Sequence, residues 1–207
     1  MYLIGLTGNI ACGKSTVVAM LRELGAVVCD ADAVVHAVQA PDGAAYAPIV
    51  AAFGPKILVA GRDGSPIDRA ALGRIVFSDP EKLRLLESLV HPAVRTVMGE
   101  WLAAQQAAGV QVAVIDAIKL IESGWPALCD AVWVVTAPPA QQLARLMGER
   151  GMSAADAEQR IAAQNSQAGK IAVANVVIDN SGSLEQTQAQ VMRHYHQIGR
   201  QPATTDS

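Results

Sequence analysis

The stretch Gly8-Asn9-Ile10-Ala11-Cys12-Gly13-Lys14-Ser15 decides the fold of this 207-residue chain. It matches the phosphate-binding loop pattern G-x-x-x-x-G-K-[ST] at every fixed position. The apolar run from Tyr2 to Leu6 has the length of a strand, and apolar residues recur at helical spacing between Lys14 and Leu24. Strand, glycine turn and helix are the context that the pattern requires, and its backbone N–H groups would cradle phosphate oxygens. The alternative interpretation is a glycine turn that binds no ligand. Such a turn matches the full pattern only rarely by chance.

The composition and net charge of the chain exclude several classes of function. The length suits one α/β domain, and a 51% hydrophobic content with only 4% aromatic residues predicts an aliphatic core. The net charge of -3 argues against general nucleic-acid binding, and no apolar stretch is long enough for a membrane span. Three cysteines without metal-type spacing favour free thiols in a reducing compartment. We therefore expect a cytoplasmic protein with no nucleic-acid, membrane or obligate protein partner.

Five short apolar segments read as strands covered on both faces. They are Tyr2 to Leu6, Ala26 to Cys29, Val112 to Asp116, Ala131 to Thr136 and Asn175 to Ile178. Helical patterns separate them, with capping-box signals at Ser78 with Glu81, Ser153 with Asp156 and Ser183 with Gln186. This alternation predicts an α/β fold with a five-stranded parallel sheet, and the phosphate loop makes a three-layer P-loop NTPase fold the expected form of it. Its expected parts are a core over 1–32 and 112–200, a helical substrate-binding insertion over 33–111, a helical lid over 141–168 and a polar tail over 201–207.

Ligands of open parallel sheets bind at the carboxyl ends of the strands, so the residues after each strand form one predicted cluster. The phosphate loop is joined there by Asp30 and Asp32, by Asp116 and Lys119, and by Asp179 and Asn180. Asp32 can serve as the base for an acceptor hydroxyl, with Asp30 supporting it or the metal; alternatively, one of the two caps the following helix. Asp116 either supports Mg²⁺ or forms a turn.

Two further features leave alternatives open. Arg145, Arg150 and Arg160 are either phosphate-clamping residues of a hinged lid or arginines of a solvated face or an ion pair. Cys12 either fills a position that needs a small residue or is a reactive thiol with a pKa lowered by the helix N-terminus.

The motifs together resemble the dephospho-coenzyme A kinase family. The resemblance rests on the phosphate loop, Asp30-Ala31-Asp32, Ile75 to Pro80, His91-Pro92, Arg160 with Gln164, and Val177 to Gly182, and it spans about residues 2 to 199. It implies transfer of the γ-phosphate of ATP to the ribose 3′-hydroxyl of dephospho-coenzyme A. By physics alone, His91-Pro92 marks a kink or boundary in a helical pattern from Glu81 to Ala108.

The resemblance and the motif reasoning give one set of expected site residues, with ATP and dephospho-coenzyme A as partners and Mg²⁺ as cofactor. The catalytic residues are Asp32, Lys14 and Arg145; ATP is bound by Gly8, Ala11, Cys12, Gly13, Lys14, Ser15, Thr16 and, near the adenine, Asn180; Mg²⁺ is held by Ser15 and Asp116; the acceptor is contacted by Asp30, His91 and Lys119.

The chain departs from the family pattern at two places that matter for the site. Ala11 stands where many members have glycine, which the loop tolerates if Ala11 keeps a negative φ. Ile118 and Lys119 replace a usual proline and apolar residue after the third strand. Lys119 is therefore either a surface side chain or a contact to an acceptor phosphate. A nucleoside or nucleotide kinase, and a regulatory protein that uses the loop as a switch, remain the alternative functions.

Overall fold

The computed structural model describes residues 1–198, so the predicted polar tail lies outside the described residues. The chain divides into two compact units. Within the described residues, the core unit contains Met1–Cys29 and residues 108–198, and the helical unit contains Asp30–Ala107. Assignment of the helical unit to substrate binding stays a prediction.

A five-stranded sheet organises the core unit, with strand order β2-β3-β1-β4-β5. The strands are β1 (Tyr2–Gly8), β2 (Val27–Asp30), β3 (Val112–Asp116), β4 (Ala131–Thr136) and β5 (Val176–Asp179). β1 runs parallel to both β3 and β4, and β4 runs parallel to β5. The predicted parallel α/β fold is confirmed. The register places Leu6 opposite Asp116, so β1 delivers the phosphate loop to the edge where β3 ends.

Nine α-helices lie within residues 1–198. They are α1 (Lys14–Glu23), α2 (Ala31–Val38), α3 (Tyr46–Phe53), α4 (Arg69–Phe77), α5 (Pro80–Ala107), α6 (Pro139–Arg150), α7 (Ala154–Ala162), α8 (Gln167–Ala172) and α9 (Leu184–Ile198). Short 3₁₀ turns cover Pro55–Ile57, Val59–Gly61 and Trp125–Leu128. None of the helices in this described range combines the length and apolarity needed to cross a membrane.

The core of the sheet unit is mainly aliphatic, as the composition predicts. Ile4 and Leu6 of β1, Leu21 of α1 and Val191 of α9 are fully buried in one cluster, and Trp133 of β4 is its largest side chain. Helices α1 and α9 pack against each other over this cluster. Burial of these side chains holds both ends of the phosphate loop, because the loop connects β1 directly to α1.

In the helical unit, α2 and α4 both pack against the 28-residue α5. α5 continues through Pro92, so of the two alternatives at His91-Pro92 the helix boundary is wrong and the kink stays a prediction. Packing along α5 outweighs the missing proline N–H, since Val90 and Val94 on either side are buried.

The cap of α5 differs from the sequence prediction by one residue. The carboxylate of Asp79, and not Ser78, accepts the N–H groups of Glu81 at 3.0 Å and Lys82 at 3.3 Å. The Ser78 hydroxyl instead donates to carbonyls at the end of α4, so the predicted capping box there is wrong.

Of the other two predicted capping boxes, the one at Ser183 is confirmed, and the one at Ser153 forms the N-cap bond of such a box. The N–H of Asp156 donates to the Ser153 hydroxyl at 3.1 Å. Ser183 and Gln186 bond reciprocally, since each backbone N–H donates to the side chain of the other. These caps fix the starts of α7 and α9.

Candidate active site

The phosphate loop is tightly wrapped between β1 and α1. A Cβ on Gly8 would lie 2.7 Å from the carbonyl oxygen of Val135, so β1 and β4 approach closely only because Gly8 has no side chain. Gly13 has φ 88 and forms the N-cap of α1 without a side-chain cap. The start of α1 therefore presents backbone N–H groups and the positive end of the helix dipole to an anion.

Ala11 adopts a left-handed conformation with φ 54, so the condition under which the loop was expected to tolerate alanine is not met. A left-handed alanine costs about 1–2 kcal/mol relative to a right-handed one. The carbonyl of Ala11 accepts a hydrogen bond from Arg145 at 3.1 Å, which helps to hold this conformation. The loop therefore carries local strain that a tertiary contact offsets.

Lys14 and Asp116 form an ion pair at the carboxyl ends of β1 and β3. Asp116 is the last residue of β3, and its register with Leu6 places it beside the loop. The side chains of Lys14 and Asp116 are only 18% and 13% exposed, and such shielding from water strengthens their attraction. The structure therefore brings these two predicted site residues together.

The residues that would hold Mg²⁺ offer the right kind of donor. Ser15 is exposed at the start of α1 and supplies a hydroxyl, and Asp116 supplies a carboxylate. Residues 1–198 contain no cluster of three or more His, Cys, Asp or Glu side chains that could form a protein-only metal cage. Mg²⁺ commonly needs no such cage, because it takes one or two protein oxygens together with phosphate oxygens and water.

Asn180 is a buried residue, only 7% exposed, whose carboxamide supports the phosphate loop. Its Nδ2 donates to the carbonyl of Cys12 at 2.9 Å, and its Oδ1 accepts from the Thr187 hydroxyl at 2.9 Å. A side chain at Gly13 would overlap this carboxamide. Asn180 thus joins the end of β5 to the loop, a contact that the sequence did not predict.

Arg145 of α6 is a second support of the loop. One guanidinium nitrogen donates to the Ala11 carbonyl at 3.1 Å and the other to the Asn180 carbonyl at 2.9 Å. A guanidinium has five N–H donors, so these two bonds leave donors for a phosphate. Arg150 and Arg160 are exposed and form no ion pair within the described residues, and their role in a lid stays a prediction.

The segment between α7 and α8 also contacts the loop. Gln164 accepts the N–H of Ile10 at 2.7 Å, and the Asn165 carbonyl accepts from the Asn9 side chain at 3.3 Å. The Asn165 amide in turn donates to Glu122 at 2.6 Å, beyond the end of β3. Sequence reasoning included Gln164 only as part of a motif and missed the other contacts, because isolated polar residues carry no signal of their tertiary partners.

Comparison with known proteins identifies the family. A family model described as dephospho-CoA kinase matches residues 2–186. This chain belongs to the dephospho-CoA kinase family. A dephospho-CoA kinase of Symbiobacterium thermophilum is 49% identical over 191 residues, which cover 92% of this chain and 79% of that protein.

Two solved structures share the fold over nearly the whole chain. A protein of Thermus thermophilus is 34% identical with a TM-score of 0.82, covering 95% of this chain and 96% of that chain. A dephospho-CoA kinase of Campylobacter jejuni is 26% identical with a TM-score of 0.70, covering 96% of this chain and 97% of that chain.

Cys12 behaves as a small packing residue within this family loop. Its side chain is 1% exposed, and burial raises the pKa of the thiol despite the nearby charges of Lys14, Lys170 and Arg145. The alternative of a reactive thiol with a lowered pKa is therefore wrong. Desolvation in the core outweighs the attraction of the thiolate to these cations.

In the helical unit, Asp30 and Asp32 have different local roles. Asp30 is the N-cap of α2 and accepts the N–H of Ala33 at 3.1 Å, so the capping alternative applies to Asp30. Asp32 lies half-buried in the first turn, and its carboxylate makes no hydrogen bond or ion pair with any other described residue. Of the two, Asp32 is therefore the carboxylate that remains available for chemistry.

The other two predicted acceptor contacts are exposed. His91 lies on the surface of α5 in the helical unit. Lys119 lies on the surface of the core unit, three residues after β3 ends. Solvent exposure is compatible with both a surface role and a substrate contact, so both assignments stay predictions.

Proposed function

We propose that this protein transfers the γ-phosphate of ATP to the ribose 3′-hydroxyl of dephospho-coenzyme A, giving coenzyme A and ADP. The observation that carries the proposal is a complete phosphate loop, with its lysine paired to the acid that ends β3, in a chain of the dephospho-CoA kinase family. Coenzyme A synthesis ends with this reaction.

The donor half of the reaction depends on positive groups that are already held in place. The loop N–H groups and Lys14 would bind the β- and γ-phosphates. The free N–H donors of Arg145 would bind oxygens of the same phosphates. Ser15 and Asp116 would hold Mg²⁺, which when bound neutralises charge on the phosphate oxygens. Because Asn180 and Arg145 fix the loop carbonyls, the N–H groups are oriented before ATP arrives.

We assign the predicted adenine contact to the neighbours of Asn180 and not to Asn180 itself. The Asn180 carboxamide is occupied by Cys12 and Thr187, so Asn180 would act on the nucleotide through the loop geometry. Its neighbours Ser181 and Gly182 line an open cavity of about 500 Å³, and we place the adenine side of ATP at these neighbours.

The acceptor half depends on Asp32. The ribose 3′-oxygen attacks the γ-phosphorus, the bond between that phosphorus and the β–γ bridging oxygen breaks, and ADP leaves with the bridging oxygen. Asp32 takes the proton of the attacking hydroxyl. The support for this role is its position two residues after β2 and the absence of a partner for its carboxylate among residues 1–198. His91 and Lys119 would contact the coenzyme A moiety.

A coupled assay of ADP release, with and without dephospho-coenzyme A, tests the proposal. We expect release to depend on this acceptor, whereas nucleosides and nucleoside monophosphates support little turnover. Asp32→Asn should lower kcat by about 10²-fold or more, the range of general acid–base catalysis, while ATP affinity stays unchanged. Asp63→Asn, at an exposed turn, is the matched control.

The alternatives predict other results. A nucleoside or nucleotide kinase would prefer another acceptor, and a regulatory switch would bind nucleotide without acceptor-dependent ADP release. For the acceptor contact, Lys119→Met should raise the KM for dephospho-coenzyme A and leave the KM for ATP unchanged. An unchanged acceptor KM would exclude Lys119 from the site.

A further inference from the structure

Lys170 is a buried lysine that no feature of the proposed reaction uses. It lies in α8 and is 5% exposed. Its ammonium donates to the carbonyl of Ile118 at 2.9 Å and forms no ion pair with a carboxylate anywhere in residues 1–198. Glu122 attracts it from a distance but is exposed and bonded to Asn165. Burial accordingly lowers the pKa of Lys170, so holding this charge here costs folding free energy.

The carbonyl that Lys170 binds belongs to the turn after β3. Ile118 follows Asp116 by two residues, and its carbonyl also accepts the hydroxyl of Thr7 at 3.1 Å. Thr7 immediately precedes the phosphate loop in β1. The turn that carries Asp116 is therefore fixed from two sides, by β1 through Thr7 and by α8 through Lys170.

Lys170 also adds charge at the phosphate loop. Its ammonium repels that of Lys14 and favours the charged form of the Cys12 thiol, so it acts on the loop electrostatically. Asp116 pairs with Lys14, and Lys170 adds a further positive charge near Lys14 that the exposed carboxylate of Glu122 offsets only in part. Surplus positive charge in a water-poor site suits a bound polyanion, because the attraction is screened less than at the surface.

We propose that Lys170 is a positioning residue for the ATP triphosphate, which holds the Asp116 turn through Ile118 and adds a second positive charge beside Lys14. This inference rests on the proposed function, since it takes the loop as the ATP site. An anion bound there would offset the part of the cost of the buried ammonium that the hydrogen bond to Ile118 and the attraction of Glu122 leave uncompensated.

Three substitutions separate the hydrogen bond from the charge. Lys170→Met removes both, Lys170→Gln keeps a donor for Ile118 without the charge, and Lys170→Arg keeps both. Lys56→Met removes an exposed lysine and is the matched control. ATP affinity is measured by calorimetry without the acceptor, and the melting temperature is measured for every variant.

We expect ATP to bind about tenfold or more weakly to Lys170→Met and Lys170→Gln, the effect of losing one charge in a partly buried site. Lys170→Arg should recover most of the affinity, and the control should match the wild type. The melting temperatures of the two neutral variants should equal or exceed that of the wild type, because the unpaired buried charge is gone.

The proposal is overturned if both neutral variants bind ATP within about twofold of the wild type, which is too small for a lost charge. It is also overturned if affinity falls only in proportion to a fall in melting temperature that Lys170→Arg shares. Failure of the proposed function gives a different result: the wild type would bind ATP but form no coenzyme A, and the affinities of the variants would still test Lys170.

Discussion

Replacing Asn180 with leucine should release the phosphate loop. The substitution keeps the volume but removes the hydrogen bonds to the Cys12 carbonyl and the Thr187 hydroxyl, both at 2.9 Å. Thr187 keeps an acceptor in Ser183 at 3.3 Å, so the main loss is the buried Cys12 carbonyl. One lost hydrogen bond costs about 1 kcal/mol and an unsatisfied buried acceptor about 1–3 kcal/mol more, for a total of about 2–4 kcal/mol.

For a chain of this size, that loss lowers the melting temperature by about 5–15 °C. ATP affinity should fall as well, because the loop N–H groups lose their fixed orientation. Thermal denaturation followed by circular dichroism measures the first effect, and calorimetric titration with ATP measures the second.

Thr187→Val provides the graded comparison. Valine has nearly the shape of threonine, and it removes the donor to Asn180 while the contact between Asn180 and Cys12 remains. We expect about half of the destabilisation of Asn180→Leu and little change in ATP affinity. An Asn180→Leu variant with wild-type melting temperature and wild-type ATP affinity would refute the idea that this carboxamide holds the loop.

Three further predictions address the loop, a thiol and a helix cap. Gly13→Ala should abolish measurable ATP binding in a calorimetric titration, since φ is 88 and the added Cβ meets the Asn180 carboxamide; normal affinity would contradict the loop geometry. Burial, aided by the charge of Asp130, raises the pKa of Cys129 to about 11. The rate of its alkylation by iodoacetamide, measured by mass spectrometry, should therefore rise up to about that pH, and the free energy of unfolding should fall as the pH rises from 9.0 toward 11. An alkylation rate that levels off near pH 9.0 would exclude the shift. Ser183→Ala should lower the free energy of unfolding by about 1 kcal/mol in a urea titration through loss of the α9 cap, and an unchanged midpoint would argue against the cap.

The parts of the fold that depend on local sequence could be predicted. β3 and β4 have the predicted bounds, because continuous apolar runs between polar turns leave little choice of strand ends. The phosphate loop could be predicted for the same reason, since its glycines, lysine and serine must occur at fixed spacing. Asp79 shows the limit of this approach: Ser78 and Asp79 are both good N-cap residues, and Asp79 caps α5 while the Ser78 hydroxyl bonds to carbonyls at the end of α4.

The supports of the site could not be predicted from one sequence. Asn180 and Cys12 are 168 residues apart, and Lys170 and Ile118 are 52 residues apart. No local pattern distinguishes a buried, bonded lysine in a polar helix from a solvated one. The support of the Ala11 carbonyl likewise comes from a distant residue, Arg145, which is 134 residues away in the sequence.

The position of the transferred phosphate tests the central claim most directly. Dephospho-coenzyme A and ATP are incubated with the wild type and with Asp32→Asn. The product is analysed by mass spectrometry and by NMR, in which coupling between phosphorus and the ribose protons locates the phosphate. After equal incubation times, the account predicts one added phosphate on the 3′-oxygen of the ribose with the wild type, and about 10²-fold less product or none with Asp32→Asn. A phosphate at another position, or equal product from both proteins, would contradict it.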